Sequence, residues 1–600
     1  MTAGTTTPDI AAWPPLDEHE RAAGRQLLDW AADDSGARPR LCLVRGAAGS
    51  GKSRLLAWFL AGSAGHPATT VHATVLAEGL TAESFAWAAG RQLGYGPLAP
   101  ARLLDRMSED ERPVLLLVPD LHRAGAGPAD LPAAAPAPLV TELLEPLLSL
   151  PHVRAVVEVG ESGLLPADDA ETIDVGDGAT ARPGTGRQSF ADLVATVPHT
   201  AEGRPDWAQA SAPVLRHVLD AALRADDQGA AVRGLLSDPG FLVHGSVPAL
   251  TAVLADERIA VPGQLRRVWR RAASGLTAQD DDSTGRAAVL HAAAVDTDAS
   301  LTEFLRPLAR RHWWSAVWAR PDVPVTALAL LPGAGRGLGL LAADVTGRLR
   351  TYDVDTGAGT DVHAGSGAGF VHAGSGAGFV RPGSLAPRDA RSVLLLDDRA
   401  DALLPWVPED DPTAAIVLGH IAEYHGSQAL AERDARVTAL GGGPESPYAV
   451  VGDGSGALHL WSLTEYQDSP RSRPVHERPV TAVACLHLSD KDLTLVFSAG
   501  LEGAVRLWEA SAEPMPDPVE RRGSRPTALA AADTPVGPVL AVAWDDGELH
   551  LWHVFSGRVR TLPLLHPCAA LALTPEGLLV VGDPEGLYAV RLRLDVLWEL

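Results

Sequence analysis

Across the first 160 residues the apolar positions fall into two alternating arrangements. Unbroken apolar runs at Leu41-Cys42-Leu43-Val44, at Pro113 to Val118 and at Val153 to Val159 predict strands buried on both faces of a parallel sheet. The β-branched run Thr69 to Val75 predicts a further strand. Between these runs, apolar residues recur at helical spacing. Leu16 to Ala32 places Ala23, Leu27, Trp30 and Ala31 on one side, and Arg54 to Leu60, Thr81 to Leu93 and Thr141 to Leu150 read as helices too. Alternation of strand and helix predicts a three-layer α/β domain over residues 16–188, behind a flexible tail at 1–15.

From Ser189 to about residue 312 the pattern is helical throughout, clearest at Ala210 to Leu223, Ala230 to Leu236, Gln264 to Ala273 and Arg286 to Ala294. The acidic break Asp280-Asp281-Asp282 reads as a hinge between two of these helices. Arg266, Arg267, Arg270 and Arg271 flank Trp269 and read as a solvated helical face.

After Trp313-Trp314 the period changes to two, and a repeat emerges that runs over 313–600. Its strongest copies end in Gly456 to Trp461, Gly503 to Trp508 and Gly547 to Trp552, with tryptophan spacings of 47 and 44 residues. Each copy opens on an alternating strand, such as Val437-Thr-Ala-Leu440 or Val480-Thr-Ala-Val483. Weaker copies at Gly347 to Tyr352 and Gly586 to Arg591, with a degraded one from Ser392 to Trp406, bring the total to six units. Small sheets that bury their faces only against one another predict an all-β propeller of six or seven blades, the number depending on residues 357 to 434. The tryptophans are expected to be core anchors. A glycine-rich nine-residue segment, Val362 to Phe370, recurs unchanged as Val371 to Phe379; its His363 and His372 read as by-products of duplication in a loop. Ala-, Pro- and Gly-rich loops are also expected at 124–138 and 176–188.

Composition adds constraints to this multidomain layout. A formal charge of −25 argues against a nucleic-acid partner. No apolar run is long enough for a membrane span and no signal peptide is visible, and Cys42, Cys485 and Cys568 lie far apart without metal spacing; a cytoplasmic protein with buried thiols is expected. No Gly-x-Ser-x-Gly elbow is present, and Pro479 excludes a metal-binding helix after His476-Glu477.

The candidate chemistry lies after the first strand, in Gly46-Ala47-Ala48-Gly49-Ser50-Gly51-Lys52-Ser53. Glycines let backbone N–H groups approach phosphate oxygens, and the following helix offers its positive end. Lys52 would reach the β and γ phosphates and Ser53 would hold a magnesium ion. Lysine occurs in this chain only at Lys52 and Lys491, which makes chance a poor account of Lys52.

The P-loop, the helical middle, the stretch Ser237 to His244 and the units ending in Leu-Trp together resemble STAND-type P-loop NTPases fused to WD-repeat propellers, a class common in actinobacteria. The resemblance implies a switch driven by ATP and ADP, protein partners on the propeller and nucleotide-dependent self-assembly. One departure stands out. The family's magnesium-side Asp ends the buried strand, but here Pro119 follows Val118, and Asp120 takes that role only if the strand end shifts by one residue. His122 and Arg123 stand where further acidic residues are common, and Val157-Glu158-Val159 supplies no Arg or Asn to sense a γ-phosphate. Three readings follow: a switch that holds nucleotide and hydrolyses it weakly, an ATPase whose turnover resets the switch, and a propeller scaffold with a vestigial P-loop.

Overall fold

The computed structural model describes residues 16–598, except 126–135, 177–188, 278–281, 333–337, 362–381, 398–401 and scattered single or paired positions. The expected tail, the duplicated segment with His363 and His372, most of the two Gly-rich loops, Asp280, Asp281 and Ala48 therefore lie outside the described residues. The chain divides into two compact units, Met1–Thr277 and Ala278–Leu600.

In the first unit, strands β1 (Leu41–Arg45), β2 (Ala73–Thr74), β3 (Val114–Val118), β4 (Val153–Gly160) and β5 (Ala170–Asp174) form one parallel sheet in the order β2-β3-β4-β1-β5. Side chains alternate between its faces. Cys42, Val44, Leu115, Leu117 and Val156 pack against helices α1 (Arg21–Ala31) and α2 (Lys52–Ser63). Leu41, Leu43, Leu116, Val118, Ala155 and Val157 pack against α3 (Ala82–Gln92), α4 (Pro100–Glu109) and a helical segment made of α5 (Ala137–Leu139), a π turn (Val140–Leu144) and α6 (Glu145–Ser149). The three expected layers are present. Thr81 caps α3 in a reciprocal pair with Ser84. The expected strand at 69–75 is reduced to two residues, and β5 is an edge strand that the sequence pattern did not announce.

Helices α7 (Phe190–Ala195), α8 (Ala212–Arg224), α9 (Ala230–Leu236), α10 (Pro239–His244), α11 (Val247–Ala255) and α12 (Leu265–Leu276) complete this unit. On α12 the arginine face differs from expectation. Arg267 and Arg270 are exposed, but Arg271 is only 3% exposed, and Arg266 donates to the carbonyls of Asp256 and Ile259.

The second unit opens with α13 (Ser283–Ala294), whose N-cap is Asp282, and α14 (Ala299–Ala309). Both pack on β6 (Trp314–Pro321). Six antiparallel sheets follow, and their first strands, beginning at Val325, Pro382, Val437, Val480, Pro526 and Ala570, contact one another in sequence and return from the last to the first. The structure is a closed six-bladed β-propeller. Closure depends on β6, which pairs with Gly586–Leu592 as the outer strand of the sixth blade. Trp461 and Trp508 are buried at the ends of third strands, as expected of anchors, and Trp552 is half-buried. The glycine that opens each strong copy is required by close approach: Gly456 and Gly503 have φ of +87° and +77°, and a side chain there would strike the carbonyl of His476 or Arg522.

The second blade draws on residues 382 to 431 of the stretch left open by the sequence. Among the described residues it has three strands, and α15 (Pro412–Ala431), capped by Asp411, lies against its last strand, Ala402–Trp406, with Val417, Leu418 and Ile421 in the core. His425 of α15 is 2% exposed and accepts a hydrogen bond at Nε2 from Trp461 Nε1 at 2.9 Å.

This contact requires a neutral imidazole. Burial, and secondarily the charge of His459, push the His425 pKa down to about 3 from 6.5. Between those values the unfolded chain binds the extra proton, so this contribution is fully present above about pH 6.5 and is lost as pH falls toward 3. The slope is about 1.4 kcal/mol per pH unit. A His425→Gln variant, which keeps an acceptor but no titration, should lose less thermal stability than the parent between pH 6.5 and 5 by calorimetry.

Candidate functional site

β1 ends in the interior of the sheet, flanked by β4 and β5, and α2 starts seven residues later at Lys52. In an open parallel sheet, ligand sites gather beyond the carboxyl ends of such strands. The intervening loop is tightly wound: Gly46, Gly49 and Gly51 have φ of +147°, +84° and +99°. A Cβ on Gly46 would stand 2.6 Å from both Ser50 Oγ and the Val175 carbonyl, and one on Gly51 would fall on the Glu20 carboxylate. Each glycine of the motif thus meets a demand that no other residue meets. The first N–H groups of α2 have no partners within the helix and form the positive end of its dipole.

The two side chains assigned chemistry at this junction face different surroundings. Ser53 is exposed on the first turn of α2, whereas Lys52 is only 6% exposed. Lys52 Nζ donates to the carbonyls of Gly46 and Ala47, both at 2.8 Å, and lies 3.8 Å from Glu158 Oε1. Ser50 Oγ is buried without a hydrogen-bond partner among the described residues.

Glu158 belongs to no sequence motif, and its strand reads in the sequence only as lacking an Arg or Asn sensor. Along β4, Val157 and Val159 point to the α3 and α4 layer, so Glu158 points to the α2 layer, opposite Val44 of β1. It is 2% exposed, and its Oε2 has no hydrogen-bond partner among the described residues. Burial raises its pKa, as does the charge of Asp120, and Lys52 opposes both. The signal that marks it is a lone carboxylate inside an apolar run.

Asp120 follows the end of β3 at Val118 and the turn residue Pro119, whose carbonyl accepts from Ala77 N–H at 2.9 Å. Asp120 adopts the left-handed conformation (φ +55°) and heads a 3-10 turn, Leu121–Arg123, with its carboxylate 4.0 Å from His122 Nε2. The His122 ring covers Gly160, where a Cβ would come within 3.1 Å. Burial lowers the His122 pKa, against the pull of Asp120. Arg123 turns away to pair with Glu78. Lys52, Glu158, Asp120 and His122 are therefore electrostatic neighbours at the carboxyl ends of β1, β3 and β4, and Arg123, although paired with Glu78, also acts on His122.

The Lys52 and Ser53 side chains and the loop glycines fit a phosphate chain, with Ser53 and Asp120 as the available oxygens on the metal side. Among the described residues no group of three His, Cys, Asp or Glu converges as a metal cage. A cavity of about 1370 Å³ lies at the opposite end of the same sheet, against Leu41 and Val114 where β1 and β3 begin, and contains none of these residues. The three cysteines are free and buried, and burial pushes their thiols up. No described helix is long and apolar enough to cross a membrane.

No protein-family model and no curated protein matches the sequence. Among solved structures the chain is similar to the WD40 beta propeller domain of Doa1, with 14% identity, 46% of this chain and 96% of that chain covered, and a TM-score of 0.31. The six-bladed ring stands on its own strand pairing.

Gly46→Ala should destabilise the protein by about 1–3 kcal/mol, because it combines a strained φ with contact against a backbone carbonyl that cannot move aside. Urea unfolding of the full chain would detect the loss. Gly163→Ala, where a Cβ meets nothing within 4 Å, serves as the control and should change stability little.

Proposed function

We propose that the first unit binds ATP or ADP with magnesium at Gly46 to Ser53, and that the propeller docks protein partners under the control of that nucleotide. The observation that carries the reading is Lys52. It is nearly buried at the start of α2, held by the carbonyls of its own glycine loop, in a chain with only one other lysine. The loop amides and the N-terminus of α2 would hold the phosphates, Lys52 would reach the β and γ phosphates, and Ser53 and Asp120 would serve the metal. Magnesium supplies charge neutralisation at the phosphates.

Slow hydrolysis is the companion proposal. Phosphoryl transfer depends on a placed metal and a placed water. Pro119 cannot serve either purpose, and Asp120 is set back by one residue in a left-handed turn. Loss of one such carboxylate reduces rate by powers of ten while the phosphate cradle persists. Six-bladed rings of this type offer broad faces with variable loops, which supports protein partners in general and names none.

Nucleotide released on denaturing the purified protein is the direct test. ADP or ATP should be recovered from the wild type and be absent from Lys52→Ala. Millimolar ATP with magnesium at about a hundred times Kd should stabilise the wild type by about 2.7 kcal/mol and the variant not at all. No bound nucleotide and no stabilisation would leave the propeller scaffold alone. Phosphate release well above the Lys52→Ala background, abolished by Asp120→Asn, would replace the slow switch by a working ATPase.

A further inference from the structure

The second unit contains a cavity of about 840 Å³ between α14 and the outer side of the sixth blade. Four arginines line it: Arg306 in the last turn of α14 and Arg310, the residue that caps that helix, with Arg591 and Arg593 at the end of the sixth blade's third strand. In a chain with 75 acidic and 50 basic residues this concentration of positive charge is out of proportion.

The charges are not all balanced from within. Arg591 pairs with Asp355 at 3.0 Å and Arg593 with Asp595 at 3.3 Å, both at the surface. The one carboxylate in the lining, Asp296, is engaged by Arg320 at 2.8 Å. Arg306 and Arg310 are exposed and make no ion pair among the described residues. The floor carries a second mark. His291 of α13 lines the cavity, is 3% exposed, and neither ring nitrogen has a hydrogen-bond partner among the described residues; Thr297 Oγ1, also in the lining, is buried and unpartnered. Buried polar groups are nearly always satisfied, so these atoms point to a ligand with oxygens.

From this geometry we infer that the cavity is a binding site for a small polyanion, whose phosphate or carboxylate oxygens are gripped by Arg306 and Arg310 at the mouth and accept a hydrogen bond from His291 at the floor. Guanidinium forks suit either group bidentately, and the volume suits a small molecule. Burial and the two α14 arginines lower the His291 pKa to about 4, so near neutral pH the ring is uncharged and offers one N–H. The site is separate from the glycine loop: every residue in it belongs to the second unit.

Titration calorimetry on the full chain carrying Lys52→Ala, which removes phosphate binding at the glycine loop, would use inorganic pyrophosphate in one arm and citrate in the other. Heat of binding is expected in at least one arm, and the arm identifies phosphate or carboxylate chemistry. Adding Arg306→Ala and Arg310→Ala, solvent-facing changes that leave the core intact, should weaken binding at least about tenfold, and the lysine pair at the same positions should restore part of it. Should Lys52→Ala fail to fold, the same arginine substitutions in the wild type must remove one of two binding events. No binding in either arm, or binding that both alanines leave undiminished, overturns the inference.

Discussion

A strand inside a parallel sheet has two buried faces, and successive side chains must go to opposite ones. That constraint organises the first unit. It sends Cys42 and Val44 to the α1 and α2 layer and Leu41 and Leu43 to the α3 and α4 layer, and the same count along β4 carries Glu158 to the α2 side. A slip of one residue would place Val157 beside Lys52 and press a carboxylate into the opposite apolar layer. The charge arrangement around Lys52 thus follows from strand register as much as from the glycine loop.

Bringing Glu158 to Lys52 has an energetic cost. Lys52 makes its short hydrogen bonds to loop carbonyls and stands 3.8 Å from the carboxylate, so their attraction offsets only part of the desolvation. The raised pKa of Glu158 records the remainder. Asp120 adds a second negative charge nearby, and His122 adds none while it stays neutral. A phosphate chain approaching Lys52 would meet carboxylates as well as a cation, which gives magnesium a physical reason to accompany it.

Much of this was legible in the sequence because the signals were local. The runs at 41–44, 114–118 and 153–159 are apolar enough to declare buried strands, and the Val-Thr-Ala and Leu-Trp units mark the first and third strands of the blades. What escaped notice depends on distant partners. β5 is a polar edge strand, Ala-Glu-Thr-Ile-Asp, whose order comes from pairing with β1. β6 closes the ring with a strand almost 270 residues away in sequence, a pairing no periodicity reveals. Glu158 stands out only with β4 beside β1, and α15 falls in the stretch 357–434, which the sequence leaves open between six blades and seven.

The helix α15 has a consequence for the rim of the propeller. In the third, fourth and fifth blades the fourth strand is the outermost, with backbone groups that a strand from another chain can join. In the second blade α15 covers that place, and in the sixth α13 and α14 pack on the last strand, β6. The blades are therefore not interchangeable docking stations: the rim is marked by its helices, and a partner that binds by adding a strand can be excluded from those sectors and so oriented with respect to the others.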